Sequence, residues 1–177
     1  PSFNNGTGTL ICKEVREMEN IVVSGATVSK NDAKITLIGV SDEPGQAANI
    51  FHELAKEKIN VDMIIQNVSA NGLTDLTFTV DKDDLALALE TTKRTKGEIK
   101  AKEIVADDKI AKLSVVGIGM RSHCGIAEKL FKTLSDEKIN IQMISTSEIK
   151  ISCVIEEAQA EKALNAVHNA FVLDKEQ

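Results

Sequence analysis

Residues 57–64, EKINVDMI, return almost unchanged at 137–144 as EKINIQMI, eighty positions later. That recurrence is the strongest constraint in the sequence, because a chain that repeats itself folds as copies of one unit. The likeness runs upstream: Gly45, Ala47, Phe51 and Leu54 recur as Gly125, Ala127, Phe131 and Leu134, and ITLIGV (35–40) answers LSVVGI (113–118). The offset there is 78, because the second loop carries two extra residues. In a chain of 177 residues this spacing makes room for two small domains.

The first copy reads clearly. KITLIGV (34–40) is a β-branched run closed by Gly39 and the polar SDEPG, which predicts a strand and a turn. From Gly45, the residues Ala47, Ile50, Phe51, Leu54 and Ala55 recur at helical spacing, with Asp42 and Pro44 suited to the helix start. VDMIIQNVS (61–69) and the alternating LTDLTFTV (73–80) predict two strands around the turn ANG (70–72). DKDDLALALETTK (81–93) predicts a helix with acidic residues at its positive end, and EIKAKEI (98–104) a last strand. The order βαββαβ is that of an α+β, ferredoxin-like sandwich of sheet and two helices.

The second copy offers a strand at 111–118, a helix at 124–137, strands at 141–147 and 149–155, a helix at 157–171, and no final strand. NIVVSGATVS (20–29) belongs to neither copy. If it supplies the missing strand, the first unit is inserted within the second; the alternative is a separate edge strand. Insertion gives a lead-in at 1–19, a lent strand within 20–33, a first domain at 34–106 and a second at 107–177. The hairpins differ too: Met63 to Val80 is 17 positions and Met143 to Ile155 only 12, which compresses the second turn into STSE (145–148).

Several function classes fall away. A net charge of −6 with Arg16, Arg94 and Arg121 as the only arginines argues against a nucleic-acid or anionic-membrane surface. Phe78 is the only aromatic on a central strand, too few to stack bases. No apolar run approaches a membrane span, and the expected compartment is the cytosol. Cys12, Cys124 and Cys153 are scattered and read as reduced thiols. Neither GxxxxGK[ST] nor GxGxxG occurs, and His52, His123 and His168 lack metal-ligand spacing. The adjacent His123–Cys124 pair reads more readily as structural than as a nucleophile.

Two strand–turn–helix corners remain, GVSDEPGQAA (39–48) and GIGMRSHCGIA (117–127), facing polar letters at strand ends, QN (66–67) and STSE (145–148). Amides at a helix start receive a carboxylate, and side-chain oxygens receive an ammonium. Together they form the two halves of a free amino-acid site, a binding module's inventory.

These segments, with QNVS, GMRSH and STSEIKIS the most specific, resemble the tandem ACT domains in the regulatory half of aspartokinase over residues 20–173. PSFNNGTGTLI (1–11) resembles the tail of that family's catalytic domain. The resemblance implies an allosteric part without catalytic residues, in which lysine, threonine or both bind at ACT–ACT interfaces and feedback-inhibit phosphorylation of aspartate. It implies a homodimer whose sheets extend side by side, and partnership with an aspartokinase catalytic domain or α subunit. ATP and magnesium belong to that catalytic part, so no cofactor is expected in this chain. One implied pocket uses Asp42, Gly45, Ala47, Gln66 and Asn67, closed across an interface by Asn140 and Ile141. The related pocket uses Met120, Ser122, Gly125 and Ala127 with Ser145, Thr146, Ser147 and Glu148. Two positions depart from the family pattern: Cys124 stands where proline is usual, and Ala127 where some relatives carry a hydroxyl. Lysine and threonine are therefore not separated at this level. The other reading on the same fold is a free-standing ACT-type regulator of another enzyme, against which the 1–11 lead-in argues.

Overall fold

The computed structural model describes residues 23–67, 71–118, 120 and 125–171. Its elements are β1 (Gly25–Ser29), β2 (Asp32–Ser41), α1 (Gln46–Lys56), β3 (Ile64–Gln66), β4 (Leu73–Asp81), α2 (Leu85–Ile99), β5 (Glu103–Asp107), β6 (Ile110–Val116), α3 (Ile126–Asp136), β7 (Met143–Thr146), β8 (Lys150–Glu156) and α4 (Ala160–Phe171). Alternation builds the sheets. In β2, Ala33, Ile35 and Leu37 are buried, while Lys34, Thr36 and Ile38 are half-buried on the opposite face. β4 brings Leu76, Phe78 and Val80 to the same core, where Ile50 and Leu54 of α1 cover them. The second unit repeats this with Ala111, Leu113 and Val115 of β6 and Ile151, Cys153 and Ile155 of β8 under Leu130 and Leu134. Burial pushes the Cys153 thiol, which is free, up to about 12.

The strands form two antiparallel sheets, ordered β3-β4-β2-β5 and β1-β6-β8-β7. β1 thus takes the edge place in the second sheet that β5 takes in the first, pairing from Gly25 against Val116 to Ser29 against Lys112. The chain enters the second sheet, leaves to build the whole first unit, and returns. The strand begins at Gly25 rather than at 20; residues 20–22 lie outside the described residues.

Two expectations need correction. The helix read as 81–93 continues to Ile99, so the strand read as 98–104 begins only at Glu103. Thr91, Thr92, Thr95 and Ile99 are buried, which carries the helix on through the polar TTKRT. Thr92 Oγ1 donates to the Ala88 carbonyl at 2.7 Å and Thr95 Oγ1 to that of Thr92 at 2.9 Å, so these two hydroxyls are satisfied inside the helix, while that of Thr91 is buried without a partner among the described residues. Lys100, at φ 53°, ends it. Of the strand read as 61–69, the described residues are extended in the ladder over Ile64–Gln66, with Asp62 and Met63 still bonding Thr79; residues 68 and 69 lie outside the described residues.

The two units meet through their helix-free sheet faces. Met63, Ile110, Met143 and Val154 form an apolar seam with Ile65 against it. Polar contacts cross beside it in both directions. Lys112 of β6 reaches Asp32 Oδ1 at 2.7 Å and Asp62 Oδ2 at 2.5 Å in the first unit. Lys34 of β2 reaches Gln142 in the second. Lys34 and Lys112 are repeat equivalents, as are Asp62 and Gln142, so the seam carries a pseudo-twofold. Burial disfavours the Lys112 ammonium, but its hydrogen bonds to Asp32 and Asp62 outweigh that and hold its pKa above the ordinary lysine value. The same bond to Lys112 holds Asp62 below the ordinary carboxylate value.

Candidate functional site

Each unit places one corner in the same position. β2 ends at Ser41, and the Asp42 amide donates to the Gly72 carbonyl at 3.0 Å, tying the corner to the β3–β4 hairpin. Gly45 starts α1 at φ 98° and Gly125 starts α3 at φ 96°, left-handed conformations that glycine adopts without strain. A glycine at this position has no side chain with which to cap its helix. In α1 the Gln46 amide donates to the Glu43 carbonyl at 3.4 Å, and the positive helix end beyond it suits an outside acceptor.

Beside α1 lies a cavity of about 420 Å3, lined by Val40, the corner residues from Asp42 to Ala47, Gln66, Thr74 and Leu76. Beside α3 lies its counterpart, also about 420 Å3, lined by Met120, Ala127, Thr146, Ser147, Glu148 and Ile151. Both fall within the range of roughly 300–1,000 Å3 usual for small-molecule sites. The correspondence is residue by residue: Ala47 with Ala127, and Leu76 with Ile151, which pair with the equivalent residues Leu37 and Val115. Each cavity thus has an apolar floor and a rim of carboxylate, amide or hydroxyl groups at the N-terminal end of a glycine-started helix.

Of the expected first-pocket residues, Asp42, Gly45, Ala47 and Gln66 come together. Asn67 does not line the cavity; its amide donates to the Asp75 carbonyl at 3.4 Å, and its own carbonyl accepts the Thr74 hydroxyl. Asn140 and Ile141 lie in a separate depression of about 450 Å3 with Phe131 and Lys138, beyond the C-terminal end of α3. In the second pocket Met120, Ala127, Thr146, Ser147 and Glu148 come together. Gly125 starts the helix without lining the cavity, and Ser145 sits in the ladder opposite Ser152. Ser122 and Cys124 lie outside the described residues. The compressed turn is real: the Ser147 amide donates to the Lys150 carbonyl at 2.7 Å, closing the β7–β8 hairpin.

Sequence reasoning missed Gln46, Thr74, Leu76 and Ile151 as lining residues. The alternation in LTDLTFTV did carry a signal, since Thr74 shares a face with the buried Leu76 and Phe78, a polar residue at the mouth of an apolar row. Among the described residues no cluster of His, Cys, Asp and Glu could hold a metal ion, and no helix is long and apolar enough to cross a membrane.

Comparison with known proteins places this geometry. The family model described as the ACT domain matches residues 35–95 and again 113–171. The aspartokinase of Pseudomonas aeruginosa is 49% identical over 175 residues, 98% of this chain and 42% of its own length. The chain therefore spans less than half of that relative. A crystal structure of aspartokinase alpha and beta subunits contains a chain 48% identical, with a TM-score of 0.81 over 85% of this chain and 99% of that one. The ligand-free regulatory subunit of aspartate kinase from Thermus thermophilus is 42% identical, with the same TM-score of 0.81 over 85% and 99%.

Proposed function

The chain belongs to the aspartokinase family, of which it carries the regulatory pair of ACT domains, and on that premise we propose that it is a non-catalytic sensor of free amino acids. In this reading lysine, threonine or both occupy the two pockets and hold an aspartokinase catalytic part inactive, a feedback on the phosphorylation of aspartate in the cytosol. ATP and magnesium belong to that catalytic part. The observation that carries the reading is the recurrence of one pocket plan in both units: a glycine-started helix facing polar strand ends over an apolar floor. The helix amides suit an α-carboxylate, while Asp42 and Gln66 in one pocket, and Glu148 with the nearby hydroxyls in the other, suit an ammonium.

A dimer completes the arrangement. β3 and β7 each form one edge of their sheets, and they expose Ile64 (52%) and Ile144 (42%) at equivalent positions. Edges with exposed apolar residues are normally covered. Pairing between two copies extends each sheet to eight strands and gives Asn140 and Ile141 a place over the partner's first pocket. Calorimetry with L-lysine and L-threonine, singly and together, tests the proposal. Saturable binding to a dimer supports it; no heat with either amino acid, or a monomer by sedimentation at micromolar concentration, overturns it.

A further inference from the structure

Gln46 is the first residue of α1 and lines the first cavity, yet its side-chain oxygen is shut off from solvent and meets no donor. Buried polar atoms are nearly always paired, so a lone acceptor at a cavity wall marks a contact that the free protein does not make. The neighbouring Thr74 hydroxyl cannot supply it, since that hydroxyl donates to the Asn67 carbonyl. The repeat provides an internal comparison: the equivalent first residue of α3 is Ile126, apolar and 8% exposed. Two pockets built to one plan therefore differ in hydrogen-bonding capacity at this wall.

The geometry points to Gln46 as the specificity-determining residue of the first pocket. Rotation about its terminal torsion, which is soft, brings the amide oxygen to a donor on the side chain of the bound amino acid. The α-carboxylate and α-ammonium are already provided for by the helix amides, Asp42 and Gln66, which leaves Gln46 for the side chain. The ligand class is an amino acid with a hydroxyl or ammonium on its side chain. Ile126 offers no such acceptor, so the second pocket discriminates by shape at this wall. This inference rests on the reading of the pockets as amino-acid sites.

The test uses two pairs that differ in the donor, L-threonine against its isostere L-valine and L-lysine against L-norleucine, which lacks the side-chain amino group. Calorimetry is run in a Ser147→Phe background, which fills the second pocket. The parent chain is expected to prefer the donor-bearing member of at least one pair by about tenfold or more, since a site built to hydrogen-bond a group rejects the analogue lacking it. Gln46→Leu is expected to collapse that ratio to about one, and Gln46→Glu, which keeps an acceptor, to retain it. A ratio that survives in Gln46→Leu, or is lost in Gln46→Glu, overturns the inference and leaves the sensor reading standing. A parent chain that binds no amino acid at all overturns both.

Discussion

The amide of Gly39 donates to Asp75 Oδ1 at 2.8 Å, across the place where the β2–β4 ladder slips. Leu37 pairs with Leu76 and Val40 with Thr74, so Ile38 and Gly39 together oppose Asp75 alone. This is a β-bulge, and the Asp75 carboxylate takes the amide that the ladder leaves over. Gly39 sits at φ 64°, a conformation that calls for glycine, and a Cβ there would also have to displace the flexible Lys102 side chain, 2.8 Å away. The bulge redirects the chain so that Val40 and Asp42 face the first cavity, while the Asp75 carbonyl accepts the backbone amide of Asn67, next to the cavity-lining Gln66. One residue braces both sides. Asp75→Leu is expected to weaken binding at the first pocket about three- to tenfold while leaving the second unchanged, and Asp75→Asn, which keeps an acceptor, to restore most of it. Equal losses at both pockets, measured by calorimetry, would show a general destabilisation instead.

Asp42 and Gln66 line the first cavity from opposite elements and are exposed to it. Replacing either with alanine removes a partner of a bound ammonium without disturbing the core. The expected loss is about 1.5–3 kcal/mol for the charged contact, roughly ten- to hundredfold in affinity, with the melting temperature of the free chain unchanged. Wild-type affinity in both variants would remove this cavity from consideration.

Ser147 is exposed on the second cavity and closes the β7–β8 turn through its backbone. Phenylalanine there keeps the backbone bond and fills the cavity. Ser147→Phe is therefore expected to fold normally but to lose the part of the ligand-induced rise in melting temperature that comes from the second pocket, because a ligand stabilises only the state it binds better. In an assembled aspartokinase the same change is expected to relieve inhibition. A variant that unfolds outright would assign Ser147 to the turn alone.

The seam between the units gives a pH signature. Asp62 is held below the ordinary carboxylate pKa by its hydrogen bond to Lys112. A group whose folded pKa is depressed contributes stability that is present above its unfolded pKa and lost as pH falls through the folded value. Wild-type stability is thus expected to fall between about pH 5 and pH 3 more steeply than that of Asp62→Asn, which has no such carboxylate to protonate. Denaturant melts across that range check it; parallel pH profiles would show that the Lys112–Asp62 pair contributes nothing. Because Asp62 is largely exposed, the difference is expected to be modest.

The sequence determined the unit, its repetition and its polar corners. Strand alternation in LTDLTFTV, helical spacing from Gly45 to Ala55 and the glycines before α1 and α3 are all encoded within a few neighbouring residues, and a period of eighty displays them twice. The surplus strand at 20–29 even exposed the insertion, because a count of strands is also legible along the chain. Tertiary structure decided the rest. Thr91, Thr92 and Thr95 extend α2 because packing buries them, overriding the weak helix propensity of threonine. The bulge under Asp75, the solitary oxygen of Gln46 and the crossed lysines at 34 and 112 each depend on groups brought together from distant strands or helices. Periodicity is a property of neighbours in the chain, whereas a hydrogen bond between residues fifty or more positions apart exists only once two packed layers have fixed both partners.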